Sequence, residues 1–315
     1  MSVKKYLVTG GAGFIGSHIV RALLEQGAVV RVLDNFSSGK RENLGGLTSS
    51  KNGSRFEVHE GDVRDAAKVA QAVRDVEVIF HEAAFVSVPE SMEKPQECFD
   101  VNVTGTSVLF EAARKAGVRR AVIASSAAVY GDSDALPLNE DTPLRPMSPY
   151  AVSKRVDEMY AALYTQTFGL EVVALRYFNV YGPRQRPDSM YAAAVPIFIR
   201  RLRDGKPVTI FGDGGQTRDL IFVGDVVRAN LISAEHPAAA GQIFNVCTGL
   251  ETRINDLVDV LYKLFPDAPK PVYAEPRAGD IYKSLGSPAK AETMLGFKPQ
   301  VSLADGLKET VEWMR

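Results

Sequence analysis

Three side chains in this 315-residue chain have the types and spacing for proton chemistry: Ser126, closing the apolar run "RRAVIASS", and Tyr150 and Lys154 in "SPYAVSK". Ser148 reads as a helix N-cap and Pro149 as the first helical residue, so Tyr150 and Lys154 share one helical face, a turn apart. A tyrosine of pKa about 10 needs roughly 4 kcal/mol of differential stabilisation to ionise near neutrality. One ammonium at about 6 Å, with an effective dielectric near 20, supplies roughly 3 kcal/mol. The pair is therefore most of a base, and a second positive charge would complete it. Tyr-x-x-x-Lys alone is common on surface helices; its weight depends on what surrounds it.

Short β-branched runs alternate with helical patterns from the start. "KKYLVTG", "AVVRVLD", "RFEVHEGD", "VEVIFHEAA", "RRAVIASS" and "LEVVALRYFN" are predicted strands, and 14–26, 65–74, 93–115 and 148–168 predicted helices. This alternation implies an α/β fold, a Rossmann-type doubly wound parallel sheet with helices on both faces. After Asn179 neither period holds well in "VYGPRQRPDSMYAAAVP". The chain is expected to return to the sheet around "DLIFVGDVVRANLISA" and "GQIFNVCTG". The expected division is a dinucleotide-binding domain over 1–178 plus about 219–248, and a smaller, discontinuous substrate-binding α/β lobe over about 179–218 and 249–315.

Between the first strand and helix, Gly10, Gly11, Gly13 and Gly16 spell both G-x-x-G-x-x-G and G-x-G-x-x-G. Glycines there allow a tight turn, a close approach to pyrophosphate, and an anion at the helix N-terminus. Asp34 ends the second strand 18 residues after Gly16, where a carboxylate binds the adenosine ribose hydroxyls and disfavours a 2′-phosphate. NAD is thus the expected cofactor, and its oxidised nicotinamide is the second cation Tyr150 needs. Asp62 and Val63 are placed to contact adenine, and Ala83 and Ala84 to leave room along the dinucleotide.

A net charge of -1 leaves no basic stripe for nucleic acid, and no apolar run approaches a membrane span. The expected location is cytoplasmic. Cys98 and Cys247, with His18, His59, His81 and His236, form no metal-ligand spacing, so no metal site is expected.

"TGGAGFIG", "SSAAVYG", "YAVSK" and "RYFNVYGPRQ" occur in the order found in the extended short-chain dehydrogenase/reductase family, and the chain resembles its UDP-hexose 4-epimerases over nearly its whole length. The resemblance implies Tyr150 as general base, Lys154 tuning it and holding the nicotinamide ribose, and Ser126 on the sugar's 4-oxygen. It adds Phe14, Ile15, Asn35, Ser38, Gly39, Asn102 and Tyr177 to the cofactor set. On the substrate side it implies Asn179, Arg218 and Arg277 at the diphosphate, Asp280 near the uridine ribose, and Ser284 beside the sugar's C2 substituent. Ser87 is either a sugar ligand or a turn cap.

Dehydratases of that family carry an Asp and a Glu directly after the serine, where this chain has Ala127 and Ala128. The pocket is thus expected to hold no other acid, leaving hydride transfer to NAD⁺ and back, and one mobile proton. That suits C4 epimerisation of UDP-hexoses, of the N-acetylated pair because Ser284 is small, and of UDP-glucose and UDP-galactose. A UDP-glucuronate 4-epimerase, with Arg184 and Arg186 facing the carboxylate, and a net nucleotide-sugar reductase are the alternatives; a non-catalytic dinucleotide sensor fits the intact triad poorly. The helices 93–115 and 148–168 resemble the family's intersubunit bundle, which implies a homodimer.

Overall fold

The computed structural model describes residues 4–47, 55–187, 193–276 and 281–314. The elements in chain order are β1 (Lys5–Thr9), α1 (Phe14–Glu25), β2 (Val29–Asp34), β3 (Phe56–Glu60), α2 (Ala66–Ala72), β4 (Val78–His81), α3 (Val88–Glu93), α4 (Pro95–Phe99), α5 (Gly105–Ala116), β5 (Arg120–Ser126), α6 (Pro149–Phe168) and β6 (Glu171–Tyr177). There follow β7 (Asn179–Tyr181), α7 (Ala194–Arg203), β8 (Thr209–Phe211), β9 (Thr217–Arg218), β10 (Leu220–Phe222), α8 (Val223–Glu235), β11 (Ile243–Val246), β12 (Thr252–Arg253), α9 (Ile254–Leu264), β13 (Val272–Ala274), α10 (Ala289–Leu295) and α11 (Leu303–Met314).

Seven parallel strands form one sheet in the order β11-β6-β5-β4-β1-β2-β3. The strands are short apolar runs because helices cover both faces: Leu7, Val8, Val30, Val32, Ile79, Phe80, Val122 and Val173 are all fully buried. From β1 the chain winds outward to β3, then returns to the other side of β1 as β4. That reversal opens a crevice at the carboxyl ends of β1 and β4, where ligands of doubly wound sheets bind. No helix among the described residues is long and apolar enough to cross a membrane.

A second core joins α7, α9 and α11 through Ile199, Leu202, Leu257, Leu261, Leu307 and Val311. Three two-stranded ladders flank it, β7 with β10, β9 with β12, and β8 with β13. Helix α10, within the span assigned to the smaller lobe, packs instead on the main sheet, its Ala291 and Leu295 joining Phe244 in the large core.

Two sequence expectations change. The predicted helix 93–115 is broken: α3 stops at Lys94 (φ -128°, ψ 58°), α4 starts at Pro95, and a π turn over Asp100–Thr104 precedes α5. Proline excludes the residue before it from helical geometry, which accounts for the first break. The stretch "DLIFVGDVVRANLISA" does not rejoin the sheet; Leu220–Phe222 pairs with β7, and the rest is α8, lying on α1 and β5. Val223, Val226, Val227 and Asn230 recur at helical spacing and all are buried there. Only "QIFNV" supplies the seventh strand.

Candidate active site

The glycine loop leaves β1 at Gly10, whose φ of 66° lies in the left-handed region and whose missing Cβ would stand 2.6 Å from the Ala83 nitrogen of the β4 loop. Gly13 caps α1 and donates its N–H to the Gly10 carbonyl at 2.9 Å. A Cβ on Gly16 would come within 2.2 Å of that same carbonyl oxygen. The loop is therefore as tight as bare backbone permits. α1 has no side-chain cap and no acid in its first turn, which leaves the N–H groups around Phe14 and Ile15 suited to an anion.

Asp34 is buried at the end of β2, accepting from Ala12 N at 2.9 Å and Phe36 N at 2.8 Å. Burial pushes its carboxyl pKa up, against the pull of these two bonds. Gly39 sits against it, a Cβ there lying 3.0 Å from Asp34 Oδ1. Nearby, the Ser38 carbonyl accepts from Arg186 at 3.2 Å. Asn35 donates to Asp62 at 2.9 Å, and Asp62 is clamped by Arg64, which holds its carboxyl well below the usual range. Val63 turns into the core, its Cγ2 against Gly105 of α5. Ala83 donates its N–H to Thr9 Oγ1 at 3.3 Å, and Ala84 follows half-buried. A glycine loop of bare backbone at a helix N-terminus, next to a buried acid at the end of β2, fits a dinucleotide such as NAD.

Ser126 ends β5 in register with Tyr177 of β6. Its hydroxyl accepts from Ala128 N at 3.2 Å, capping a 3-10 turn through Ala127 and Ala128. α6 begins as predicted, with Pro149 first and Ser148 Oγ accepting from Ala151 N at 3.1 Å. The start of this helix is pinned on both sides: Tyr150 N donates to Ser91 Oγ of α3 at 3.2 Å, and Ser153 Oγ donates to Tyr150 O at 2.8 Å. Tyr150 itself is half-buried. Lys154, a turn further in, is only 3% exposed.

Asn102, expected at the cofactor, has its amide engaged within the fold. It is buried, with Oδ1 accepting from Phe85 N at 2.7 Å and Nδ2 donating to Phe85 O at 3.1 Å and Ser153 Oγ at 2.8 Å. The amide is committed to fastening the β4 loop to α6, and the π turn is the local distortion around it. The sequence spacing gave no sign of this.

The expectation of a pocket without further acids is also corrected. Glu82, directly after β4, accepts from the Tyr177 hydroxyl at 2.9 Å, and Asn230 of α8 donates to that hydroxyl at 2.7 Å. Asp157, one turn beyond Lys154, places Oδ2 at 3.7 Å from its ammonium. Burial drives both carboxyls up to about 7, against the pull of Lys154. On the far side, His81 bonds to Thr9 at 2.7 Å and Thr106 at 2.9 Å; burial, then the Lys154 charge, lowers it to about 3.

Across the crevice, Asn179 opens β7 with its side chain exposed and its N–H on Asp219 O at 3.0 Å; Arg218, one residue before Asp219, donates to Thr217 O at 2.7 Å. The buried Asp219 carboxylate accepts from Thr248 N and Oγ1 at 2.7 Å each, Gly249 N at 2.9 Å and Gly286 N at 3.3 Å. Asp219 thus links Asn179, through its carbonyl, with Gly286 in the segment after Ser284, through its carboxylate, and Arg218 is its chain neighbour. Sequence reading missed Asp219, and an acid between Arg218 and the apolar "LIF" was its only signal. Ser284 is half-buried at the head of that segment. Arg277 and Asp280 lie outside the described residues. Ser87 caps α3, accepting from Glu90 N at 3.1 Å. Arg184, a candidate for a substrate carboxylate, turns away to α1 and donates to His18 Nδ1 at 3.1 Å with φ of 66°.

The chain matches the family described as "NAD dependent epimerase/dehydratase family" over residues 6–247. A UDP-glucose 4-epimerase of Mycolicibacterium smegmatis is 44% identical over 98% of each chain. Among solved structures, the UDP-glucose 4-epimerase of Thermotoga maritima with UDP-glucose superposes with a TM-score of 0.92 at 40% identity, covering 99% of this chain and 98% of that one. The UDP-N-acetylglucosamine 4-epimerase of Methanobrevibacter ruminantium M1, in complex with UDP-N-acetylmuramic acid, gives 0.94 at 37% identity over 100% and 99%.

Proposed function

The chain belongs to the NAD dependent epimerase/dehydratase family, and on that premise we propose that it is an isomerase interconverting UDP-sugars at C4. One observation carries the reading: Ser126 closes β5, against which α6 with Tyr150 and Lys154 packs, while the two positions after Ser126 that would hold a dehydratase's acids are alanines.

Gly10, Gly13 and Gly16, the α1 N-terminus, Asp34 and Lys154 would hold NAD, which when bound supplies reversible oxidation at C4 and so allows reduction of a 4-keto sugar from either face. Tyr150 Oη takes the proton of the 4-hydroxyl and later returns it. Lys154 stabilises the phenolate between those events, and the Ser126 hydroxyl holds the 4-oxygen. Asn179 and Arg218, joined through Asp219, grip the diphosphate while the sugar turns, with Arg277 and Asp280 assigned to the same nucleotide. The planar guanidinium suits that contact. Ser284 leaves room for an acetamido group, so the substrates are UDP-GlcNAc and UDP-GalNAc as well as UDP-glucose and UDP-galactose. The commitment of Arg184 to His18 takes one carboxylate partner from the uronate reading.

The working unit we infer is a homodimer. Val152, Met159 and Leu163 form an exposed apolar stripe along α6, beside exposed Met92 and Phe99 on α3 and α4. Leu163→Glu should shift the sedimentation coefficient to that of a monomer; an unchanged value rejects this assembly.

The test is a panel of UDP-sugars incubated with the protein, without added coenzyme, and followed by NMR. Interconversion with no net NADH change is expected, and Tyr150→Phe should abolish it while NAD stays bound. A requirement for stoichiometric coenzyme would make the protein a reductase, and no turnover of any pair would end the reading.

A further inference from the structure

Lys154 is not a lone cation. Asp157 lies on its own helix, 2% exposed, with Oδ2 at 3.7 Å from the ammonium and Oδ1 buried without a hydrogen-bond partner among the described residues. Glu82 approaches from the end of β4, accepting from the Tyr177 hydroxyl at 2.9 Å, and the Lys154 charge pulls its carboxyl down against burial. We propose that Asp157 and Glu82 are positioning residues that set how much of the Lys154 positive charge reaches Tyr150. The proposal rests on the epimerase reading for the role of Tyr150.

The coupling is electrostatic. A buried ammonium lowers the cost of a phenolate next to it, and a carboxylate on the same ammonium takes that help back. Both carboxyls sit where burial places their titration near neutrality, so their charge changes within the working pH range. Protonated, they leave Lys154 free to favour the phenolate; ionised, they oppose it. The other groups facing Asp157 are few. Glu158 on α6 adds repulsion but is matched by Arg176, Cys98 of α4 is a buried thiol pushed up by burial, and Thr106 of α5 bridges toward the neutral His81. Among the described residues, Tyr177 and Lys154 are the groups that pull the Glu82 carboxyl down. Neither acid touches Ser126 by a hydrogen bond, which separates this role from the paired acids of a dehydratase.

The discriminating experiment reads Tyr150 without relying on turnover. Tyrosinate absorbance is titrated against pH in the NAD-loaded protein, taking the difference from Tyr150→Phe, for the parent, Asp157→Asn and Glu82→Gln. Each substitution removes a negative charge while keeping the side chain's shape, so the Tyr150 midpoint should move to lower pH by about one unit. The acidic limb of the kcat/KM profile should move with it. Midpoints that coincide with the parent in both variants overturn the proposal, even if both lose activity, because a purely structural role lowers rate without moving the titration. If Asp157→Asn does not fold, the Glu82→Gln titration decides by itself. Shifted midpoints in the variants of a parent protein that interconverts no sugar would reject the epimerase reading and leave the charge relation standing.

Discussion

Arg176→Met should be among the most damaging single changes in the molecule. Arg176 is buried in β6, one residue before Tyr177, with Nε and Nη2 on Glu158 Oε1 and Oε2 at 2.7 and 2.9 Å and Nη1 on the Tyr130 hydroxyl at 2.9 Å. Glu158 of α6 has a fully buried side chain and also accepts from Ser125 Oγ at 2.7 Å, the residue before Ser126. After the substitution, that carboxylate keeps one hydroxyl and the partly exposed Arg155 at 3.2 Å. Removing one partner of a buried pair costs about 3–5 kcal/mol, a large part of the 5–15 kcal/mol that typically separates folded from unfolded chains. Replacing both partners by apolar residues of similar volume is often close to neutral. Equilibrium urea unfolding followed by far-ultraviolet circular dichroism should therefore show losses of about 3–5 kcal/mol for Arg176→Met and for Glu158→Leu, with the double variant more stable than either single one. A loss under about 1 kcal/mol for Arg176→Met, or a double variant that loses the sum of the two, would refute the view that this pair fixes β5, β6 and α6 together.

Gly16→Ala forces a Cβ to within 2.2 Å of the Gly10 carbonyl, so NAD affinity measured by calorimetry should fall at least tenfold; unchanged affinity would mean the loop has slack. Burial, reinforced by Lys154, holds His81 at about 3, against an ordinary value near 6.5, so unfolding takes up a proton between those values. Its contribution is intact above about pH 6.5 and is lost as pH falls toward 3, about 2 kcal/mol by pH 5. His81→Gln should therefore lose less stability than the parent between pH 7 and 5 in urea titrations, while the raised carboxyls Glu82 and Asp157, which slope the other way, remain common to both proteins. Ser284→Tyr should abolish turnover of the acetylated pair and spare UDP-glucose; retention of both would take Ser284 out of the specificity argument.

The parts of the site written as fixed spacings were legible in the sequence. A glycine loop needs its glycines at set offsets from a strand end, and Tyr150 and Lys154 need one helical turn, so pattern alone located them. The apolar runs of the main sheet's strands were equally plain. What escaped depends on tertiary contact: Asn102 reaches a loop 17 residues away, Asp219 binds segments 29 and 67 residues distant, and nothing in "FHEAA" says that Glu82 meets Tyr177. Asp157 was closer to being readable, since Ala151, Lys154, Asp157, Glu158 and Ala161 follow one buried helical stripe. The ladders of the smaller lobe are two or three residues long, too short for an alternating pattern to register.

The backbone crosses between the two cores repeatedly. It leaves the large core after β6, returns for α8 and β11, departs for α9, comes back to seat α10 on β11 and ends in α11 beside α9. A body sewn through its neighbour in this way cannot be grafted as a cassette. Exchanging either core between relatives would need several joins at once, because no single cut frees one from the other.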